Sequence, residues 1–149
     1  MSEGNSMSVE QRLQELEDER AILDTFYRYS SALDYGSEDE WLSCWTKDAV
    51  YKLPGREPRI GTEELLAQFR ISPHAPEKYQ KHVISNPRVT VSGDSAEASS
   101  YFALFGMEAE GACIITYGHY QDKLVRDEDG GWRISERVAE AEGRRPAIA

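Results

Sequence analysis

The sequence predicts a single α+β domain of 149 residues, with helices in its first half and an antiparallel sheet in its second half. Two observations carry this prediction. Apolar residues recur at helical spacing up to Leu33, whereas from His82 onward they alternate with a period of two. The turns between the later strands are short, and such short connections require antiparallel neighbours.

The chain divides into elements at clear turn and cap signals. The first helix is predicted over 9–33, and a second helix over 37–47, opened by a capping box of Ser37 and Glu40. A third helix is predicted from its cap Thr62 to Arg70. Strands are predicted over 48–53, 82–91, 96–109, 112–127 and 132–140, with a disordered N-terminus at 1–8 and a loose tail at 143–149.

The composition excludes several classes of protein. The 27 acidic and 17 basic residues give a net charge of −10, which repels nucleic acid. No apolar run reaches the ~20 residues of a membrane helix. The polar, acidic N-terminus is unlike a signal peptide, so we expect a cytoplasmic protein. Cys44 and Cys113 lack metal-ligand spacing, and no nucleotide-binding motif is present, so no metal or cofactor is expected.

A few polar residues stand out as candidates for a site. Asp34 ends the first helix, and His82 opens the sheet region, although the first is also typical of a turn and the second of a solvated side chain. His119 follows Gly118, which indicates a bulge or a close approach of backbone. Aromatic residues with polar tips are candidates to line a cavity. They include Tyr29, Trp45, Tyr51, Tyr101 and Tyr117.

The order of these residues resembles the SnoaL-like families of the nuclear transport factor 2-like superfamily. The resemblance rests on Tyr29-x4-Asp34, Trp45-x2-Asp48-Ala49-Val50-Tyr51, Gly61, His82-x3-Asn86 and the segments 117–126 and 129–134. It extends over about residues 9–138. It implies a cone-shaped α+β barrel with the helices in the concave face of a curved, mostly antiparallel sheet. It also implies a homo-oligomer, a dimer or trimer, formed through the exposed sheet face.

Within that superfamily the chain is most similar to lyases, namely bile acid dehydratase, scytalone dehydratase and hexachlorocyclohexane dehydrochlorinase. The resemblance implies that Asp34 pairs with His82, and the bile acid dehydratase pattern places a tyrosine where Tyr29 lies. The dehydrochlorinase has lysine at the position of Tyr29, which disfavours that chemistry.

The chemistry of these three residues fits an elimination. A neutral imidazole suits proton abstraction at neutral pH, and a buried carboxylate fixes its tautomer. A phenol can polarise an oxygen on which charge develops. We therefore expect a cofactor-independent, dehydratase-like lyase acting on an apolar cyclic molecule such as a steroid, terpenoid or polyketide. His82 is the expected base, Asp34 its partner and Tyr29 the polarising acid. The expected substrate-binding residues are Trp45, Tyr51, Asn86, Tyr101, Tyr117 and His119.

Two alternatives stay open at the level of sequence. An isomerase or cyclase of the same fold would begin with the same proton abstraction. A non-catalytic binding or assembly domain, like the small subunit of ring-hydroxylating dioxygenases, would share only the fold. An assembly domain should fill its pocket with its own side chains, whereas an enzyme should leave a cavity that the imidazole faces.

Overall fold

The computed structural model describes residues 6–146 as three helices and one sheet. The helices are α1 (Val9–Tyr35), α2 (Glu38–Leu42) and α3 (Gly61–Ile71). The strands are β1 (Trp45–Lys52), β2 (Arg59–Ile60), β3 (Lys81–Ser92), β4 (Ser95–Glu108), β5 (Gly111–Arg126) and β6 (Trp132–Arg144).

The six strands form one curled, unclosed sheet in the order β2-β1-β6-β5-β4-β3. Strands β3 to β6 form the antiparallel meander that the short turns predict, so the predicted α+β fold is confirmed. Strand β1 pairs with β6 in parallel, with Lys52 opposite Val138. This pairing joins segments far apart in sequence, and for that reason no turn signal announces it.

Helix α1 lies across the concave face of the sheet, against β3 and β6. Ser8 caps its start in a capping box with Gln11, although Ser8 falls in the segment 1–8 that was predicted to be disordered. Gly36 ends the helix in the left-handed conformation (φ 77°), which glycine adopts without strain. Residues 1–5 lie outside the described part of the chain.

Three predicted boundaries are wrong. Helix α2 ends at Leu42 rather than Lys47, because the carbonyl of Cys44 already accepts a hydrogen bond from the Ile134 N–H and strand pairing begins there. Ser37 is the N-cap residue of α2 as predicted, although its side chain accepts no capping hydrogen bond, whereas the N-cap of α3 is Ile60 and not Thr62. Gly143 and Arg144 belong to β6 instead of a loose tail, while 147–149 lie outside the described residues.

A buried ion pair occupies the centre of the core. Arg137 donates two hydrogen bonds to Asp122, of 2.7 and 2.8 Å, and both side chains are fully buried. The two residues lie directly opposite each other on β6 and β5. The guanidinium also lies over the rings of Tyr120 (4.0 Å), Tyr29 (4.4 Å) and Phe26 (5.2 Å). Helix α1 is thereby fixed to the two central strands.

Removing one partner of this pair should destabilise the protein strongly. Arg137→Met leaves the Asp122 carboxylate buried and unpaired, which typically costs about 3–5 kcal/mol of unfolding free energy. The double variant Asp122→Leu/Arg137→Met carries neither charge and should recover much of that loss. Urea unfolding measures both effects. The exposed pair Arg70–Glu38 supplies the control, since Arg70→Met should cost at most about 1 kcal/mol. A double variant no more stable than the single would contradict this account.

A second network ties the first half of α1 to the far end of the sheet. Arg126 donates to both carboxylate oxygens of Asp18, at 2.6 and 3.0 Å, and the Trp132 indole N–H donates to the same group. The guanidinium stacks on the Trp132 ring at 4.6 Å. The hydrogen bonds from Arg126 lower the pKa of Asp18 below its ordinary value of 3.8.

This shift gives the protein a defined acid dependence. Because the pKa of Asp18 is lower in the folded than in the unfolded chain, its contribution to stability is complete well above the ordinary value of 3.8 and is lost as the pH falls through the lowered pKa. Asp18→Asn should abolish this part of the loss, measured as unfolding free energy between pH 5 and pH 2. Asp24→Asn, an exposed carboxylate on the same helix, is the control. An unchanged acid profile in Asp18→Asn would refute the assignment.

Candidate active site

A cavity of about 260 Å³ opens between the helices and the concave face of the sheet. Its walls combine apolar side chains with a few polar ones, as is typical of small-molecule sites. The apolar and aromatic lining residues are Leu33, Trp41, Tyr51, Leu53, Pro54, Pro73, Phe102, Leu104, Tyr120, Ala139 and Ala141. The polar ones are Arg56, Gln68, Ser72, Gln80, His82, Thr116 and Arg144.

The structure brings Asp34 and His82 into direct contact at the edge of this cavity. The distance from His82 Nδ1 to Asp34 Oδ1 is 2.6 Å. Since a carboxylate can only accept, Nδ1 carries the proton and Nε2 of the neutral ring holds a free lone pair. Within residues 6–146, Nε2 has no hydrogen-bond partner, and the His82 side chain lines the cavity. The arrangement leaves one basic nitrogen available to a ligand.

Backbone contacts hold both members of the pair in place. The His82 N–H donates to the two carboxylate oxygens of Asp34, at 3.1 and 3.0 Å, so the carboxylate also fixes the start of β3. The Asp34 carbonyl accepts from the Ala75 N–H at 2.9 Å. Asp34 is only 5% exposed, which removes water as a competitor for its oxygens. The carboxylate oxygens of Asp34 are thus held facing the His82 imidazole.

Three tyrosines lie together beside β1 and β5, and two of them belong to the cavity wall. Tyr51 and Tyr120 line the cavity, whereas Tyr29 lies behind them, fully buried, with its hydroxyl 2.8 Å from that of Tyr51. Burial raises the pKa of Tyr29 and raises those of Tyr51 and Tyr120 further. All three phenols are therefore neutral hydrogen-bonding groups at neutral pH. Tyr29, expected to act on the substrate, has Tyr51 between it and the cavity.

The segment between α3 and β3, which supplies Ser72, Pro73 and Gln80 to the wall, is held by His74. Its ring nitrogens lie 2.5 Å from the carbonyl of Leu33 and 2.9 Å from that of Phe69, at the ends of α1 and α3. The ring also stacks on Phe69, with 4.4 Å between centroids. His74 therefore joins two helix ends beside the cavity, a role that its position in a proline-containing loop did not indicate.

Most of the residues expected to bind substrate lie elsewhere. Tyr51 lines the cavity, but Trp45 is buried against Tyr29 and Tyr51 without reaching it. Tyr101 and His119 are cross-strand neighbours, and each precedes a lining residue, Phe102 or Tyr120, by one position, so both point to the opposite face.

Two further expected residues also lie outside the cavity wall. Tyr117 is exposed on the outer face, where its ring covers Gly143. Asn86 has a positive φ of 52° and lies in a bulge between β3 and β4. The close approach predicted at Gly118 is confirmed, because a Cβ there would overlap the Glu140 carbonyl oxygen.

The sequence reasoning missed several residues of the wall. Gln68 is buried on α3, and within residues 6–146 its Oε1 has no hydrogen-bond partner. Gln80 precedes β3, and Thr116 on β5 donates to the Gly143 carbonyl at 2.9 Å. A glutamine in an otherwise amphipathic helix carries no distinct pattern, so only its burial at the cavity reveals it. Arg56, in the loop after β1, and Arg144, at the end of β6, were missed because only the fold brings them to the cavity.

Helices in the concave face of a curled sheet, around a cavity with an aspartate–histidine pair, define a protein of the nuclear transport factor 2-like class. Residues 14–138 match the SnoaL-like domain, and the chain belongs to that family. The predicted resemblance is thereby confirmed. No curated protein matches the sequence.

Solved structures show the same fold. Rv3472 from Mycobacterium tuberculosis, whose function is unknown, is 22% identical with a TM-score of 0.76, over 93% of this chain and 78% of its own. A proposed aromatic ring hydroxylase from Novosphingobium aromaticivorans is 27% identical with a TM-score of 0.72, over 86% and 91%. A protein from Catenulispora acidiphila, solved in complex with S-DNPA, is 22% identical with a TM-score of 0.71, over 83% and 92%.

Neither a metal-ligand cluster nor a membrane-spanning helix is found in residues 6–146. No group of three or more His, Cys, Asp or Glu side chains in residues 6–146 could hold a metal ion. None of the helices in this part of the chain is long and apolar enough to cross a membrane.

The tautomer of His82 can be tested directly. Long-range ¹H–¹⁵N correlation spectra should show a proton on Nδ1 and none on Nε2 at neutral pH, because Asp34 only accepts. Asp34→Asn should reverse the tautomer, since the amide nitrogen then donates to Nδ1 while its oxygen keeps the backbone hydrogen bond. His82→Gln identifies the signals by their loss. A wild-type ring protonated on Nε2 would contradict the geometry.

Proposed function

We propose that the protein is a cofactor-independent lyase of the dehydratase type, acting on an apolar cyclic small molecule with His82 as general base. One observation carries the proposal. The 2.6 Å contact of Nδ1 with the buried Asp34 leaves Nε2 free on a side chain that lines an open cavity. Geometry of this kind, a base oriented by a third group, recurs in enzymes that abstract protons.

The proposed reaction removes water across a carbon–carbon bond next to a carbonyl. His82 Nε2 accepts the proton of the α-carbon, and the C–H electron pair passes into the enolate. The enolate then forms the C=C bond as the C–O bond at the β-carbon breaks. The leaving oxygen takes the proton from the imidazolium, which produces water and restores neutral His82. Asp34 stabilises the imidazolium between these two steps.

Tyr51 is the group placed to polarise the substrate carbonyl. Its hydroxyl belongs to a residue that lines the cavity, and it contacts the Tyr29 hydroxyl behind it. Because burial raises the pKa of Tyr51 well above its ordinary value, the phenol donates a hydrogen bond rather than its proton. Tyr29 then acts as a positioning residue for Tyr51. This assignment moves the polarising role from Tyr29, expected from the sequence, to its neighbour.

The open cavity favours an enzyme over an assembly domain. A domain that serves assembly alone would be expected to fill this space, and here His82 Nδ1 bonds a carboxylate and not the backbone. The Catenulispora acidiphila structure was solved with a small molecule, which supports ligand binding in this fold. An isomerase or cyclase would use the same base, so the products of the reaction decide between these activities. The cytoplasmic location and the homo-oligomer stay predictions.

The proposal can be tested with a two-ring β-hydroxyketone. Loss of water from 3-hydroxy-1-tetralone yields 1-naphthol, which is detected by its fluorescence. His82→Ala should lower kcat/KM by about 10²- to 10⁴-fold, the usual contribution of a positioned acid–base group. Tyr51→Phe should lower it by about 10²-fold, as for removal of one donor to a developing oxyanion. Exchange of the α-hydrogens in D2O, followed by ¹H NMR, reports proton abstraction independently of elimination.

The chain supplies a matched control for the dyad. His119 Nδ1 also lies 2.6 Å from a carboxylate, that of Glu142, but this pair is on the outer face of the sheet. His119→Ala should therefore retain full activity. Exchange without elimination would favour the isomerase or cyclase. Neither exchange nor elimination in the wild-type protein, or equal activity in His82→Ala, would refute base catalysis by His82 on this class of compound.

A further inference from the structure

The cavity differs in charge from the rest of the molecule. The chain has 27 acidic and 17 basic residues, yet no aspartate or glutamate is among the residues that line this cavity. Two arginines, Arg56 and Arg144, are. The carboxylate of Asp34 lies behind His82 and is bonded to it. A negatively charged protein thus surrounds a cavity whose own walls carry positive charge.

The fold brings both arginines to the same end of the cavity. Strands β1 and β6 are parallel neighbours, with Lys52 opposite Val138, so the segments that follow these residues leave the pair in the same direction. Arg56 lies in the loop after β1, and Arg144 is the last residue of β6. Both side chains are exposed, which places them at the mouth rather than in the interior.

Neither guanidinium is neutralised within the part of the chain that the structure describes. Several arginines in residues 6–146 pair with acids, as Arg145 does with Glu110 at 2.7 Å and Arg70 with Glu38 at 2.8 Å. For Arg56 and Arg144 no carboxylate lies within 4.0 Å in residues 6–146. Their donors therefore remain available to a ligand. A guanidinium presents its N–H groups as a planar fork that matches the oxygens of a carboxylate or phosphate.

We infer that the substrate of this site is an apolar ring compound carrying an oxyanion group, a carboxylate or phosphate, which Arg56 and Arg144 bind at the mouth of the cavity. The ring then lies among Leu33, Phe102 and Leu104, near His82. The anion fixes which end of the molecule enters first, and so which C–H bond reaches Nε2. This inference rests on the proposed function for the identity of the reacting end, although the binding of the anion does not require catalysis.

The test compares three ligands that share one ring system. 2-Naphthoate and 2-naphthyl phosphate carry the oxyanion, and 2-naphthamide is the neutral counterpart of the carboxylate. Titration calorimetry should show the wild-type protein binding at least one anion about tenfold or more tightly than the amide. Each of Arg56→Ala and Arg144→Ala should weaken anion binding by about fivefold, and the double variant should bind anion and amide equally. Higher salt should weaken only the anions. The stronger of the two anions identifies the head group.

Neighbouring arginines provide controls of the same charge. Arg59→Ala and Arg145→Ala each remove a guanidinium close in sequence that does not line the cavity, and both should leave the preference unchanged. Equal binding of amide and anions by the wild type, a preference that survives in the double variant, or no binding of any probe would overturn the inference. His82→Ala should keep the preference. A wild type that binds the anion but performs no elimination would sustain the inference and refute the lyase.

Discussion

The ion pair between Arg137 and Asp122 is the constraint around which the structure is organised. A guanidinium that is fully buried must keep a partner, because an unpaired charge in a core is strongly destabilising. The partner lies directly opposite on the adjacent strand, so the pair fixes the register of β6 on β5. The aromatic rings packed on the guanidinium extend this order to helix α1. Register and helix position therefore depend on one interaction.

Helix α1, held in place by these contacts, positions two residues of the candidate site. Tyr29 and Asp34 are five residues apart, which places them about 140° apart around the helix axis. Tyr29 consequently faces Arg137 and Tyr51, while Asp34 reaches the start of β3 and His82. The single helix α1 therefore positions both Tyr29, which contacts Tyr51 of the cavity wall, and Asp34, which orients the His82 imidazole. The His74 ring is bonded to the carbonyl of Leu33, and it holds the segment between α3 and β3, which also lines the cavity, to the same end of helix α1.

The two faces of the sheet have different chemistry. The inner face combines apolar side chains with the imidazole, the phenols and the two arginines at the mouth. The outer face exposes several apolar side chains, among them Tyr101, Phe105, Ile114 and Tyr117. Exposed apolar patches of this kind commonly mark interfaces, in accord with the homo-oligomer that the family resemblance implies. The negative charge of the chain lies largely away from the cavity, which leaves the positive mouth as its distinctive electrostatic feature.

The sequence by itself determined the fold class and the antiparallel meander, because local periodicity and short turns leave few arrangements. The pairing of Asp34 with His82 was implied by the resemblance to the SnoaL-like families rather than by any local pattern. It did not determine which face of the sheet a residue occupies. Alternation shows that Tyr101 and Phe102 point in opposite directions, but an aromatic residue suits either face, and only the packed helices decide. The end of α2, the parallel pairing of β1 with β6 and the presence of Arg56 and Arg144 at one cavity likewise arise from contacts between distant segments. Such contacts leave no local signal, so only the tertiary structure decided them.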